Sequence, residues 1–124
     1  MTPRLTLTAV VLDTPDPRGL ARFYQRLLGW PLASDDPDWA SVRPEGSGAG
    51  LSFQLEENHV RPVWPAGEGD PRIQMHLDIE VEDLAAATEH ALAVGAELAD
   101  FQPQDDVRVC LDPAGHPFCL WVRG

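Results

Sequence analysis

The chain has 124 residues, the size of one domain, and carries nine basic against twenty acidic residues, a net charge of −11 that argues against nucleic acid and anionic membranes as partners. No apolar run approaches the roughly 18 residues that span a bilayer, and "MTPRLTLTAVV" lacks the basic, apolar and small-residue order of a secretory signal, so the expected location is cytoplasmic. Cys110 and Cys119 form neither a CxxC pair nor a disulfide framework, which fits two reduced thiols in that compartment.

In chain order, Leu5, Leu7, Ala9 and Val11 alternate with Thr6, Thr8, Val10 and Leu12, a strand pattern over residues 5–12. A helix follows in "DTPDPRGLARFYQRLLGWPLA": Asp16 caps it, Pro17 suits its first position, and Gly29 suits the left-handed residue past its end. Leu20, Phe23, Leu27 and Leu28 make one apolar stripe along it. Two extended segments come next, "WASVRP" at 39–44 and "GLSFQL" at 50–55. The segment 57–71, rich in proline and glycine and without period, reads as a linker.

The second half repeats the order. Ile73, Met75, Leu77 and Ile79 alternate with Gln74, His76, Asp78 and Glu80, and Asp83 caps a helix running to Gly95 with Leu84, Ala87, Ala91 and Leu92 as its stripe. "VRVCL" at 107–111 and "PFCLWV" at 117–122 are the matching extended segments, joined by the turn Asp112–Gly115. That turn places Cys110 opposite about Pro117 and Cys119 opposite about Arg108, a register that separates the thiols. Gly29 and Gly95 are 66 apart, the caps Asp16 and Asp83 are 67 apart, and Phe53 and Phe118 are 65 apart. The repeating unit is βαβββ, which predicts an α+β domain over 1–124 with modules at 4–56 and 72–123.

These paired modules, with "PDPRGLARFYQRLLGW" opening the first, "HLDIEVEDLAAATEHALAVGA" the second and "LDPAGHPFCLW" at the end, resemble the vicinal oxygen chelate superfamily, and within it the small glyoxalase-like domains. The superfamily includes glyoxalase I, bleomycin-resistance proteins and extradiol dioxygenases. The resemblance implies an incomplete barrel that opens as a cup, and pairing of chains into a homodimer.

In metal-dependent members, one position on each of the first, fourth, fifth and eighth strands supplies a ligand, usually His or Gln, Glu, His and Glu. Counting back seven residues from each cap gives Ala9 and His76, and the positions after the matched phenylalanines are Gln54 and Cys119. Ala9, Gln54, His76 and Cys119 contain no carboxylate, and Ala9 has no donor at all, so the expectation is no bound metal or other cofactor. Zinc, which accepts imidazole and thiolate, is the alternative cation.

The expected ligand wall comprises Gln54, His76, Asp78, Cys119 and Trp121, with Trp39 and Trp64 as aromatic contributors. A mostly apolar pocket with a few orienting polar groups suits a small organic molecule, and the acidic balance suits a cationic one. The enzymatic alternative is a glyoxalase-like lyase or isomerase with His76 as acid/base or as ligand of a degenerate metal site, and Cys119 as nucleophile. His59, His90 and His116 are expected to be structural or solvated.

Overall fold

A computed structural model describes residues 2–124. Residues up to Glu57 form one compact unit and Asn58–Gly124 a second. Each unit carries one four-stranded mixed sheet and one helix in βαβββ order, so the α+β assignment and the two modules hold.

In the first module the strands are β1 (Ala9–Thr14), β2 (Leu32–Asp36), β3 (Trp39–Val42) and β4 (Gly50–Leu55), in the order β1-β4-β3-β2, and α1 spans Pro17–Leu28 between β1 and β2. β1 runs parallel to β4, and the other neighbours are antiparallel. The helix begins as its sequence dictates: the Asp16 carboxylate accepts from the Gly19 N–H at 3.1 Å, and Gly29 closes it at φ 74°. It rests on β2, β3 and β4, burying Leu20, Ala21, Phe23 and Tyr24 against Phe53, whose ring stacks on Tyr24 with centroids 5.5 Å apart. Leu27 and Leu28 are only half-buried. Gly50 is required by close approach, since a Cβ there would meet the Val42 carbonyl at 2.6 Å.

The first strand lies later than its alternation predicts. Pairing with β4 fixes it at Ala9–Thr14, buries Leu12 and Thr14, and leaves Leu5, Leu7 and Val11 exposed. An alternating run states that two faces exist; the partner strand decides where pairing begins and which face is covered.

The second module repeats the topology with β5 (Leu77–Glu80), α2 (Leu84–Ala93), β6 (Glu97–Leu98), β7 (Val107–Leu111) and β8 (Pro117–Trp121), in sheet order β5-β8-β7-β6. β5 is shorter than the run from Ile73 predicts: residues 73–76 lie outside it. Asp83 caps α2 by accepting from the Ala86 N–H at 3.0 Å. Of the predicted stripe only Ala91 is buried, and Leu92 is 43% exposed. The correction has a plain cause, because an alanine-rich helix has few side chains long enough to reach the sheet. Phe118, Leu120 and Cys110 supply the buried face instead.

Asp112 anchors the β7–β8 turn: its buried carboxylate accepts from the Ala114 and His116 N–H groups at 2.9 and 3.0 Å. The pairing is Cys110 with Phe118 and Val109 with Cys119, one residue from the predicted register. Both cysteines are free. No helix among the described residues is long and apolar enough to cross a membrane.

Candidate functional site

Partners across a ladder point to the same face of a sheet. Asp78 pairs with Cys119 and Cys119 with Val109, while Glu80 pairs with Trp121 and Trp121 with Val107. One face of the second sheet therefore carries Asp78, Glu80, Cys119, Trp121, Val107 and Val109. Over it lies a cavity of about 380 Å³, within the range of small-molecule sites. Its wall is completed by His76, just ahead of β5, by Trp64, and by the segment before β7 with Phe101 and Asp106.

The polar centre of this wall is compact. His76 Nε2 lies 3.1 Å from Asp78 Oδ1, and a donor atom from each of His76, Asp78 and Cys119 falls within 4.8 Å of the others. Positions two apart on an extended chain face the same way, and here they also touch. The Trp64 ring stacks on His76 at 4.9 Å between centroids and meets Phe101 edge-on at 5.5 Å. Beyond the strand end, Arg123 lies 5.2 Å above the Trp121 ring and pairs with Glu80 at 2.9 Å, which holds that carboxyl below its ordinary range.

Burial raises the Cys119 thiol, and the Asp78 carboxylate adds to the effect. Cys110 is pushed up to about 11 by burial and then by Cys119. Each is a thiol at neutral pH, whereas a reactive cysteine needs a cationic or otherwise electropositive neighbour that stabilises the thiolate.

Among the expected site residues, Trp64, His76, Asp78, Cys119 and Trp121 come together on this wall. Gln54 and Trp39 belong to the first module, where they are cross-strand partners; Gln54 also donates to Asp13 at 3.2 Å, and Trp39 is 38% exposed. The register revises one correspondence. Leu12 lies opposite Phe53 as Leu77 lies opposite Phe118, and Asp13 opposite Gln54 as Asp78 opposite Cys119. The counterpart of His76 is thus Val11, not Ala9, because the matched ladder residue lies five before the cap in the second module (Asp78 to Asp83) and three before it in the first (Asp13 to Asp16). Neither side chain has a donor atom, so a four-ligand metal set drawn from both modules does not fit this chain.

The remaining histidines take other places. His59 Nε2 lies 2.8 Å from the Ala114 carbonyl, and its ring is 5.1 Å from that of His116. Together with Arg61, which donates to the Pro113 carbonyl at 3.0 Å, they fasten the start of the 58–71 segment to the β7–β8 turn. His90 is exposed on α2. Sequence reasoning missed Phe101 and Asp106, which lie in an aperiodic stretch; the only signal was a lone aromatic, "DFQPQDD", directly before a strand.

A model of the glyoxalase-like domain matches residues 9–121. A comparison by sequence with curated proteins found no match. Among solved structures, a glyoxalase/bleomycin resistance protein/dioxygenase family enzyme from Burkholderia phytofirmans PsJN superposes with a TM-score of 0.70 at 18% identity, over 95% of this chain and 98% of that one. TnmS3, an antibiotic binding protein from Streptomyces sp. CB03234, gives 0.61 at 18% identity over 100% of both chains. The bleomycin-binding protein from bleomycin-producing Streptomyces verticillus, solved with copper(II)-bleomycin, gives 0.61 at 19% identity over 99% of this chain and 100% of that one. At these identities the likeness is one of fold.

Proposed function

The chain belongs to the glyoxalase-like domain family of the vicinal oxygen chelate superfamily, and from that premise we propose that it binds a small organic molecule in the cavity of its second module. The observation that carries the reading is the composition of that wall. Trp64, Phe101 and Trp121 offer aromatic surface, and Asp78 and Asp106 are the carboxylates beside it. Aromatic faces attract cations through their quadrupoles, and carboxylates do so directly. The ligand class that fits is a flat or amphipathic organic cation, in keeping with the net charge of −11. Two proteins of the same fold are named as antibiotic-binding and bleomycin-binding, which supports sequestration as the role.

A thermal-shift screen of organic cations against matched neutral and anionic analogues tests this reading. A binder at 100 times its Kd stabilises the fold by about 2.7 kcal/mol. Trp121→Ala and Asp106→Asn should weaken a hit, and preference for anions would refute the assignment.

The contact between His76 and Asp78 favours one second reading, an enzyme in which this pair is the general acid/base of a lyase or isomerase. Cys119, a buried thiol beside a carboxylate, is poorly placed as its nucleophile. Turnover lost in His76→Ala while ligand affinity is retained would establish this reading over sequestration. For assembly we propose a homodimer, with the exposed Leu5 and Leu7 as apolar surface available for burial; light scattering that gives only the 13.6 kDa monomer would reject it.

A further inference from the structure

We infer that Glu80 and Trp121 form a guanidinium-binding station at the outer end of the cavity wall, and that the chain's own Arg123 occupies it as a tethered competitor. The inference rests on the organic-cation reading above and narrows it, since it states which cationic group the wall is shaped to hold.

Three features of the geometry carry it. The Arg123 guanidinium makes two parallel contacts with the Glu80 carboxylate, Nε to Oε2 at 3.1 Å and Nη2 to Oε1 at 2.9 Å. That forked pairing suits a planar guanidinium and not a point charge such as an ammonium. The same group lies 5.2 Å above the Trp121 ring, so carboxylate and indole together hold one cation. Glu80 and Trp121 are ladder partners on the face that carries Asp78 and Cys119, and Glu80 stands two residues, about 7 Å, along the strand from Asp78. The station is continuous with the cavity through Trp121, which belongs to both.

The frame is firm and the occupant loose. The Val81 N–H donates to the Trp121 carbonyl at 2.8 Å and the Val122 N–H to the Asp106 carbonyl at 3.2 Å, which fixes the backbone around the indole. The Arg123 side chain is 72% exposed and that of Glu80 47%. An ion pair so open is weak, and Arg123 can swing away without any movement of the sheet. A ligand bearing a guanidinium or amidinium takes its place, and the apparent affinity is lowered by the fraction of time that Arg123 holds the station.

The test uses the full chain carrying Arg123→Ala, with circular dichroism to check the fold. Ethylguanidinium is the probe, and ethylammonium at equal ionic strength is its control. The readout is the Trp121 indole N–H resonance, assigned by its absence in Trp121→Phe. Ethylguanidinium should shift that resonance saturably in Arg123→Ala and bind about three- to tenfold more weakly to the wild type. Ethylammonium should shift neither, and Glu80→Gln added to Arg123→Ala should abolish the response. Equal affinity in wild type and Arg123→Ala, an equal response to both probes, or binding that survives Glu80→Gln would each overturn the inference. Weaker binding in Arg123→Ala would also overturn it, because that result is expected if Arg123 only braces the indole. Guanidinium-bearing hits from the cation screen whose affinity Arg123→Ala leaves unchanged would sink the station and leave the cavity reading standing. Uptake of ethylguanidinium by Arg123→Ala with no cation hit in the wild type would do the reverse.

Discussion

The two modules share one topology but place their aromatic residues differently. In the first, Phe23, Tyr24 and Phe53 are buried between helix and sheet. In the second, Phe118 alone matches that role, while Trp64, Phe101 and Trp121 stand around the cavity on the other face. The matched ladders show the same divergence at single positions: Asp13, Gln54 and Trp39 correspond to Asp78, Cys119 and Val109. Duplicated architecture preserves what closes the core, and the open face is free to change.

The strongest challenge to that comparison is to remove the one aromatic both cores share. Phe53→Ala and Phe118→Ala should each cost about 3–5 kcal/mol, measured by denaturant unfolding, since both side chains are 0% exposed. A much smaller cost at Phe118 would mean that the second core is not equivalent to the first. The helices should then separate the modules. Leu20→Ala, at 2% exposure, should cost about 2–5 kcal/mol, but Leu92→Ala, at 43%, under about 1 kcal/mol. Comparable losses would show that α2 is better covered in solution than its exposed stripe indicates.

The caps should restore the symmetry. Asp16→Ala and Asp83→Ala each remove one side-chain acceptor from a helix start and should cost about 1 kcal/mol apiece, checked by thermal melts of the two single variants. A finer distinction comes from pH. In acid the modules should behave alike, because Asp35 beside Arg22 and Glu80 beside Arg123 are each held below their ordinary values. The stability these pairs contribute is present above the ordinary carboxylate range and is lost as pH falls through the lowered values. In alkali the second module has an added sensitivity. Cys110 is raised from 9.0 to about 11, so its contribution is complete below pH 9 and is lost as pH rises toward 11. The denaturation midpoint of the wild type should therefore fall more over that interval than that of Cys110→Ala; parallel curves would contradict the raised thiol.

What could be read in advance was what local chemistry determines. Asp16, Pro17 and Gly29 specify a helix by satisfying its own end groups, and Asp83 does the same for the second. The spacing of Phe53 and Phe118 exposed the repeat because both fill the same place in a core. Strand phase was harder, since the face that Leu5 or Ile73 presents depends on a partner strand more than 40 residues away in sequence. The Ala9 correspondence failed for a related reason: counting from a cap assumes equal spacing, and the matched residues Asp13 and Asp78 stand three and five residues before their caps. Trp64, His76, Asp78, Cys119 and Trp121 were legible as shared strand faces and an out-of-place aromatic. Phe101 and Asp106 were not, because a loop's position over a sheet leaves no periodicity in its sequence.

The strand order has a bearing on how such a chain acquires its binding wall. β8 is the last strand of its module in sequence yet an inner strand of its sheet, lying between β5 and β7. During synthesis from the N-terminus, β5, β6 and β7 all emerge before the strand that joins β5 to the others, as β1, β2 and β3 of the first module emerge before β4. Until β8 arrives, β5 and the inner edge of β7 lack their ladder partner and one apolar face is half-covered, a condition in which nascent chains associate wrongly. Cys119 and Trp121 arrive on that final strand, so the cavity forms in the same event that completes the sheet.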